Sequence, residues 1–523
     1  MPDLDSESLY KALLAKDTRF DGRFFVGVAT TGVYCRPVCR ARKPLAVNCS
    51  FYATAAAAEQ AGFRPCLLCR PELAPGYAPV DSSASLARAA ARYIERNCGV
   101  EGSLTDIARH LGCSNRHLRR VFEDAYHVRP VEYRQTCRLL LAKSLLTDTD
   151  LSVADVAYSA GFGSLRRFNE VFRRRYRLTP TALRSQARLS RTEGDAVQLS
   201  LGYRPPYRWD LMLKFLARRA IPGVEKVEED RYARTIRLRS SGRDLTGWVT
   251  VGNDAEHNRL AVTVSASLLP ALPVVLDGIK NLFDLHCEPD TVARALASMD
   301  ESALGPFIPG IRVPGCFDAF ETAVLAVLGQ QVTVQAARTL AGRLVQALGS
   351  PVDTGIDGLT TTFPMVQELL NLDGSIEQHL GPLGIITARA RAIHGLAAMM
   401  GSGTIDASCC PDPEVAVARF MEIPGIGAWT AGYIAMRCLA WPDAFLATDL
   451  EVRKALGTPS PGKILTLAER WKPWRAYAVM HLWNRAEAKS ASEHATTSKK
   501  RNEKTRGRNQ CSTSVTTSRP WEP

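Results

Sequence analysis

Two sets of residues in this 523-residue chain have types and spacings that could do chemistry. The first is Cys35-x3-Cys39 with Cys66-x2-Cys69, two short pairs whose four thiolates suit a tetrahedral zinc ion. A zinc-bound thiolate stays ionised at neutral pH and is a nucleophile. Cys49 lies between the pairs without a partner. Arg36, Arg40, Arg42, Lys43, Arg64 and Arg70 surround them. A plain zinc scaffold needs no arginines beside its sulfurs, whereas a surface that meets DNA phosphates does. The second set is Phe420 to Val452. Pro424-Gly425-Ile426-Gly427 forbids a continuous helix, and Trp429, Tyr433 and Met436 then recur at helical spacing. Asp449 follows Trp429 by 20 residues, past a loop that carries Trp441-Pro442. The amides of Gly425 and Gly427, at the start of the helix, can receive a phosphate oxygen. On residues alone, the same stretch also fits a structural DNA-binding hairpin with Asp449 as an N-cap.

The rest of the chain must position these groups. The length suggests about three to four domains. A hydrophobic share of 46% and an aromatic share of 7% are those of core-forming material. No run of about 20 apolar residues is present, so no membrane span is expected. The acidic, polar start MPDLDSESLY is no secretory signal, and fourteen cysteines without one argue for reduced thiols or metal. Net charge is +13, consistent with a polyanionic partner. Between residues 85 and 190 nineteen Lys/Arg face ten Asp/Glu, so much of the excess lies there. That stretch holds two similar patterns, Ser103 to Phe122 and Leu151 to Phe172. Each runs from an apolar helix face through a glycine turn to a second helix, with basic residues outside and Val-Phe inside. This is helix-turn-helix logic. Arg116, Arg119, Arg120, Arg166, Arg167 and Asn169 are the candidate DNA contacts. From Leu199 the chain turns strand-rich, with Thr235–Arg239 and Leu260–Val264 as further strands and a helix over Trp209–Arg219 between them. Helices then return: one entered from Val313 and running to Gly329, one starting at Gln330, and a last one entered through Pro473. The tail, 486–523, is basic and poor in apolar residues and should be disordered. The fold class expected is multidomain, mainly α with α+β parts.

The residues also carry resemblances. TTGVYCRPVCRARKP and NCSFYATAAAAEQAGFRPCLLCRPE are similar to the zinc domain of the Ada type, and the paired helix-turn-helix units resemble the AraC-type module. PPYRWDLMLKFLARRAIPGVE, LGQQVTVQAA, IPGIGAW with its distant aspartate, and ERWKPWRAYAVMHLW resemble the 3-methyladenine DNA glycosylase II (AlkA) type of the helix-hairpin-helix superfamily. Together they imply five segments: a zinc-binding methyl-phosphotriester repair domain, 1–80; an AraC-type domain, 81–190; an α+β lead-in domain, 195–300; an all-α glycosylase bundle, 301–485; and the tail.

The resemblance implies one Zn2+ on Cys35, Cys39, Cys66 and Cys69, with Cys35 as the irreversible methyl acceptor, and a monovalent cation at the hairpin. It implies Asp449 as the catalytic carboxylate of the glycosylase and Trp429, Tyr433, Trp483 and Phe215 as a base pocket. Their electron-rich faces would attract a cationic alkylated purine, each contact worth roughly 0.5–2 kcal/mol. Gln331 stands where the family places a wedge, a leucine in one member, and Asn484 stands where an aromatic is usual. His481 is read as a packing residue. Trp429 replaces the lysine of lyase-competent relatives, so no Schiff base is expected. The methyltransferase motif Pro-Cys-His-Arg of the Ada type has no match. The function implied is alkylation repair by a monofunctional glycosylase joined to a methylation-responsive regulator. The alternative is a transcriptional regulator with an inactive glycosylase-like half. The implied partner is double-stranded DNA, alkylated and promoter. A monomer without membrane contact, cytoplasmic and nucleoid-associated, is expected.

Overall fold

The computed structural model describes residues 6–74, 85–99, 103–186, 196–240, 242–299, 307–407, 410, 412–457 and 460–487. The expected linker at Asp81–Ser83 and the tail from residue 488, with Cys511, lie outside them. The chain is multidomain and mainly helical, with two sheets of more than two strands.

The N-terminal segment forms a small sheet in the order Cys49–Tyr52, Phe25–Val28, Val33–Cys35, Arg64–Pro65. The first three pair antiparallel and the last is parallel. Its apolar clusters are small: Leu9, Leu13, Phe24 and Val26 on one side, Phe25, Tyr34 and Ala58 on the other. So modest a core needs additional support.

The two helix-turn-helix units repeat each other down to their caps. Ser103 caps Leu104–His110 through Asp106, and Ser152 caps Val153–Ser159 through Asp155. The second helices, Asn115–Tyr126 and Leu165–Tyr176, start on Ser114 and Ser164 and end on left-handed His127 and Arg177. A 19-residue helix, Pro130–Asp148, joins the units; its apolar and polar positions are mixed around the whole circumference, which hid it from periodicity.

The strand-rich lead-in is a five-stranded antiparallel sheet, ordered Ala196–Gly202, Arg259–Ser265, Arg243–Asp254, Arg231–Ser240, Glu225–Glu228. Its inward residues include Val249, Val251, Val262 and Val264. The expected Trp209–Arg219 helix lies at those bounds. The Arg243–Asp254 and Glu225–Glu228 strands escaped the sequence reading because charged residues and glycines interrupt their β-branched runs. In the bundle, the helix expected from Val313 begins only at Ala319, on the Asp318 cap, because Pro314-Gly315 keeps the approach extended. Gln330 and Gln331 lie in the loop before Val334–Leu348 rather than in that helix. The last helix spans 475–487.

The segments are packed together. One apolar cluster runs from Leu139 of the joining helix and Phe168 and Phe172 of the second helix-turn-helix unit through the five-stranded sheet to Leu482. The first unit has a cluster of its own around Leu118 and Phe122. Gly202 lies so close to the zinc segment that a Cβ there would fall 2.0 Å from the Leu73 carbonyl oxygen. Arg204, buried, donates to the carbonyl of Asp21 at 3.0 Å, and Arg23 pairs with Glu288 at 2.6 Å. No helix among the described residues is long and apolar enough to cross a membrane.

Candidate functional site

The structure brings two centres together. In the first, the Sγ atoms of Cys35, Cys39, Cys66 and Cys69 all lie within 4.8 Å of one another. Zn–S bonds of about 2.3 Å in a tetrahedron give sulfur separations of roughly 3.8 Å, so this donor set fits Zn2+ with little adjustment. The local fold explains the convergence. Cys35 ends one strand, and Cys66 follows its parallel neighbour, with its amide on the Tyr34 carbonyl at 3.0 Å. Hydrogen bonds from the other sulfurs hold Cys66 below the ordinary thiol range, and a hydrogen bond with Cys39 pushes Cys35 up, so the four titrate as one group. Cys49 stands apart, its thiol on the Leu45 carbonyl at 3.3 Å.

Arg40 and Arg42 are exposed beside the sulfurs and Arg64 is half-buried. Arg36 differs from the expectation of an open phosphate contact. Its Nε donates to Asp21 at 2.7 Å, its amide approaches Cys69 Sγ at 3.4 Å and its Nη1 reaches the Cys69 carbonyl at 3.3 Å. Its charge is matched by Asp21, and it braces the cluster from within.

A buried carboxylate links this centre to the helices. Tyr34, adjacent to Cys35, donates to Glu59 Oε1 at 3.0 Å; Thr136 of the long joining helix donates to Oε2 at 3.0 Å, and Arg175 donates to the Glu59 carbonyl at 2.7 Å. Burial raises the Glu59 carboxyl to about 7, against the opposing pull of Arg175.

The second centre is the Asp449 carboxylate. It caps Leu450–Ala455, with Oδ1 accepting from the amides of Glu451 and Val452 at 3.0 Å each. Oδ1 also accepts from Trp483 Nε1, and Oδ2 from Trp429 Nε1, both at 2.9 Å. The cap and the catalytic candidate are therefore one residue. Four N–H donors suit an anion, and Oδ2, with one donor against three on Oδ1, has the spare lone pair. The rings continue from there. Trp429 stacks on Tyr433 at 5.3 Å, Tyr433 lies 6.3 Å from Trp483, and Trp483 parallels Phe215 at 6.5 Å. All four expected pocket aromatics thus form one wall beside the carboxylate. His481 is fully buried and stacks on Phe307, as a packing histidine should. Asn484 turns its amide back to the Met480 carbonyl at 2.8 Å.

Two arginines behind the wall were missed. Arg219 stands 3.8 Å over Phe215, and buried Arg437 lies 5.2 Å from Phe215 and 5.6 Å from Tyr433. Rings that already carry guanidinium groups attract a further cation less than bare rings would, which corrects the purely electron-rich picture. The signal was in the spacing: Phe215/Arg219 and Tyr433/Arg437 are both i,i+4 pairs. Burial would raise the Tyr433 phenol, but Arg437 and Arg219 outweigh it and hold the phenol below its ordinary value.

The hairpin and the Gln330-Gln331 loop are also joined. Gly425 turns at φ +91°, a left-handed conformation that glycine adopts freely, and exposed Gly427 is the N-cap of Ala428–Cys438. Gln331, exposed at φ +54°, tops the loop. Its neighbour Gln330, also missed, donates to the Gly425 carbonyl at 2.8 Å and to Thr430 Oγ1 at 2.9 Å, while Arg389 donates to the Gln330 carbonyl. Arg116, Arg119 and Arg120 are exposed on the second helix of the first helix-turn-helix unit, and Arg166, Arg167 and Asn169 on that of the second.

Family models match in chain order: the metal binding domain of Ada over residues 8–72, a helix-turn-helix domain over 107–186 and the AlkA N-terminal domain over 198–318. The chain is 38% identical over 494 residues to the probable bifunctional transcriptional activator/DNA repair enzyme AlkA of Mycobacterium tuberculosis, covering 92% of this chain and 97% of that one. The chain belongs to the Ada–AlkA fusion family. Each half of the fusion has its own relative. DNA-3-methyladenine glycosylase 2 of Escherichia coli is 38% identical over 54% of this chain and 96% of its own length. The bifunctional transcriptional activator/DNA repair enzyme Ada of the same organism is 35% identical over 30% of this chain and 43% of its own length.

Proposed function

We propose that this fusion protein repairs alkylated DNA in two ways and regulates transcription in response. The glycosylase half hydrolyses the N-glycosidic bond of alkylated bases such as 3-methyladenine in duplex DNA. The observation that carries this reading is Asp449, held by two indoles at the edge of a four-ring wall. A base must leave the stack to reach that wall, at a cost of roughly a few kcal/mol. Gln331 fills the space it leaves, and the Gly425 and Gly427 amides grip the backbone; a monovalent cation held at the hairpin would add charge to that grip. Phe215 and Trp483 flank the flipped ring. Asp449 stabilises the positive charge that develops on the sugar and orients the attacking water. Trp429 supplies no amine, so the reaction stops at hydrolysis without a lyase step.

In the zinc half, Cys35, Cys39, Cys66 and Cys69 would hold Zn2+, which when bound would keep their thiols ionised. Cys35 Sγ takes the methyl group of a DNA methyl phosphotriester: the S–C bond forms, the C–O bond breaks, and the phosphodiester leaves. The site loses one negative charge, repulsion from phosphate falls, and promoter binding through the arginines of the helix-turn-helix units strengthens. Arg40, Arg42 and Arg64 meet the backbone on that side. The segment limits read from sequence and a monomeric state complete the proposal.

The test is release of 3-methyladenine from methylated duplex DNA by the intact protein and by Asp449→Asn. Asparagine remains a good N-cap but turns an amide toward one indole. A fall of about 10³-fold with DNA binding kept is the expected result. No release by the zinc-loaded wild type would leave a regulator with an inactive second half.

A further inference from the structure

We propose that Tyr433 is the proton donor to the departing base, and that Arg437 and Arg219 hold the charge left on its oxygen. The inference rests on the glycosylase reading above and adds to it a catalytic group that the aromatic pocket alone does not supply.

The geometry has three parts. Arg437 is buried and spends its guanidinium on the Pro314 carbonyl at 2.9 Å, the Gly315 carbonyl at 2.7 Å and the Tyr433 hydroxyl at 2.9 Å. No carboxylate among the described residues pairs with it or with Arg219; nearby Glu487 is taken by Lys214 and Arg218. A buried guanidinium without a counter-ion is costly, and an anion formed next to it during turnover repays that cost. Second, arginine only donates. The Tyr433 oxygen therefore accepts from Arg437, and its own O–H donates to no described residue. That proton is unspent. Third, the ring bearing it is part of the wall, between Trp429 and Trp483. The charged and titratable groups around the phenol are Arg437 and Cys438 on its own helix and Arg219 on the Trp209–Arg219 helix, and their balance favours the phenolate.

The proton has a use that depends on the substrate. When the bond between C1′ and the base nitrogen breaks, its electron pair goes to the base. A cationic alkylated base leaves neutral and needs no proton. A neutral base leaves as an anion unless it is protonated as it goes. Tyr433 gives that proton and becomes a phenolate hydrogen-bonded to Arg437, with the charge of Arg219 also acting on it. The water that adds to C1′ passes a proton to Asp449, from which exchange with solvent restores the phenol. The sum is hydrolysis, with no other reactant.

The experiment compares two duplex oligonucleotides under single turnover, one carrying a single cationic 7-methylguanine and one a single neutral hypoxanthine, with wild type, Tyr433→Phe and Arg219→Gln. Tyr433→Phe is expected to slow hypoxanthine release by about 10²-fold, and to slow it at least about tenfold more than 7-methylguanine release. The alkaline limb of the hypoxanthine pH–rate profile should vanish in Tyr433→Phe and move to higher pH in Arg219→Gln. Equal losses on both bases, no loss on either, or a wild type that releases only the cationic base would overturn the proposal. Release of neither base by wild type is a different result, because it removes the glycosylase reading itself.

Discussion

The thiol centre draws its four sulfurs from residues 35 to 69, from two strands and the turns that follow them. The carboxylate centre draws on Phe215, Trp429, Tyr433, Asp449 and Trp483, from helices and a loop separated by most of the second half of the chain. The first sits in a segment with two small apolar clusters, and a core that small gains folding free energy from a bound ion. The second is a by-product of a large core: the helices that hold it would pack whether or not it reacted. Local assembly makes a site cheap to encode and dependent on its ligand. Long-range assembly makes it robust but spreads its specification over many residues.

The sharpest way to break the comparison is to remove one reactive atom at a time. Cys35→Ala should abolish methyl uptake from a methylated phosphotriester duplex, followed by mass spectrometry, and leave base release within about twofold of wild type. Asp449→Asn should do the converse. If either change silences both activities, the centres are not independent.

A smaller effect tests how the thiol centre is tied to the helices. Glu59 has its carboxyl raised to about 7 in the folded protein from an ordinary 4.5. The folded state thus prefers the protonated form, and the stability that this supplies is full below 4.5 and lost as pH rises through 7. Glu59→Gln is isosteric and cannot ionise. Denaturant melts should show the two proteins alike at pH 4 and the variant more stable at pH 8, by about 3 kcal/mol at most. A constant difference across that range would place the effect elsewhere.

The smallest expected change lies at the wedge. Gln330→Ala removes two hydrogen bonds that tie the loop to the hairpin. At about 0.5–1.5 kcal/mol each, the loss corresponds to roughly tenfold in kcat/KM for excision from duplex DNA. The same variant acting on single-stranded DNA, where no gap needs filling, should approach wild type.

What could be read without coordinates follows the same division. The four cysteines were legible because both spacings are short and the sulfur chemistry is specific. The Trp429–Asp449 spacing was legible because 20 residues span one helix and one loop whatever else the chain does, whereas Trp483 was reached only through the family resemblance. The strand Arg243–Asp254 was not, since its polar and glycine positions make sense only beside its neighbours in the sheet. Arg36 was illegible for another reason, and Arg437 showed only its i,i+4 spacing from Tyr433 and not its carbonyl partners. An arginine's type says nothing about which way it points, and both turned inward, one to Asp21 and one to carbonyl oxygens. Gln330 and Gln331 are adjacent and identical in type. Only the structure shows that one anchors the loop and the other is left exposed above it.

The apolar cluster that runs unbroken from the second helix-turn-helix unit into the glycosylase bundle bears on how the protein travels along DNA. Two DNA-binding parts on a slack tether can each choose a stretch of duplex. Two parts moulded into one core cannot be aimed separately. On the function proposed above, whatever the Leu165–Tyr176 helix grips would set where the Gly425 hairpin points, and the chain would act as a ruler. A lesion at the right offset from a gripped site would be presented to Asp449, and at any other offset the protein would have to release one hold to use the other.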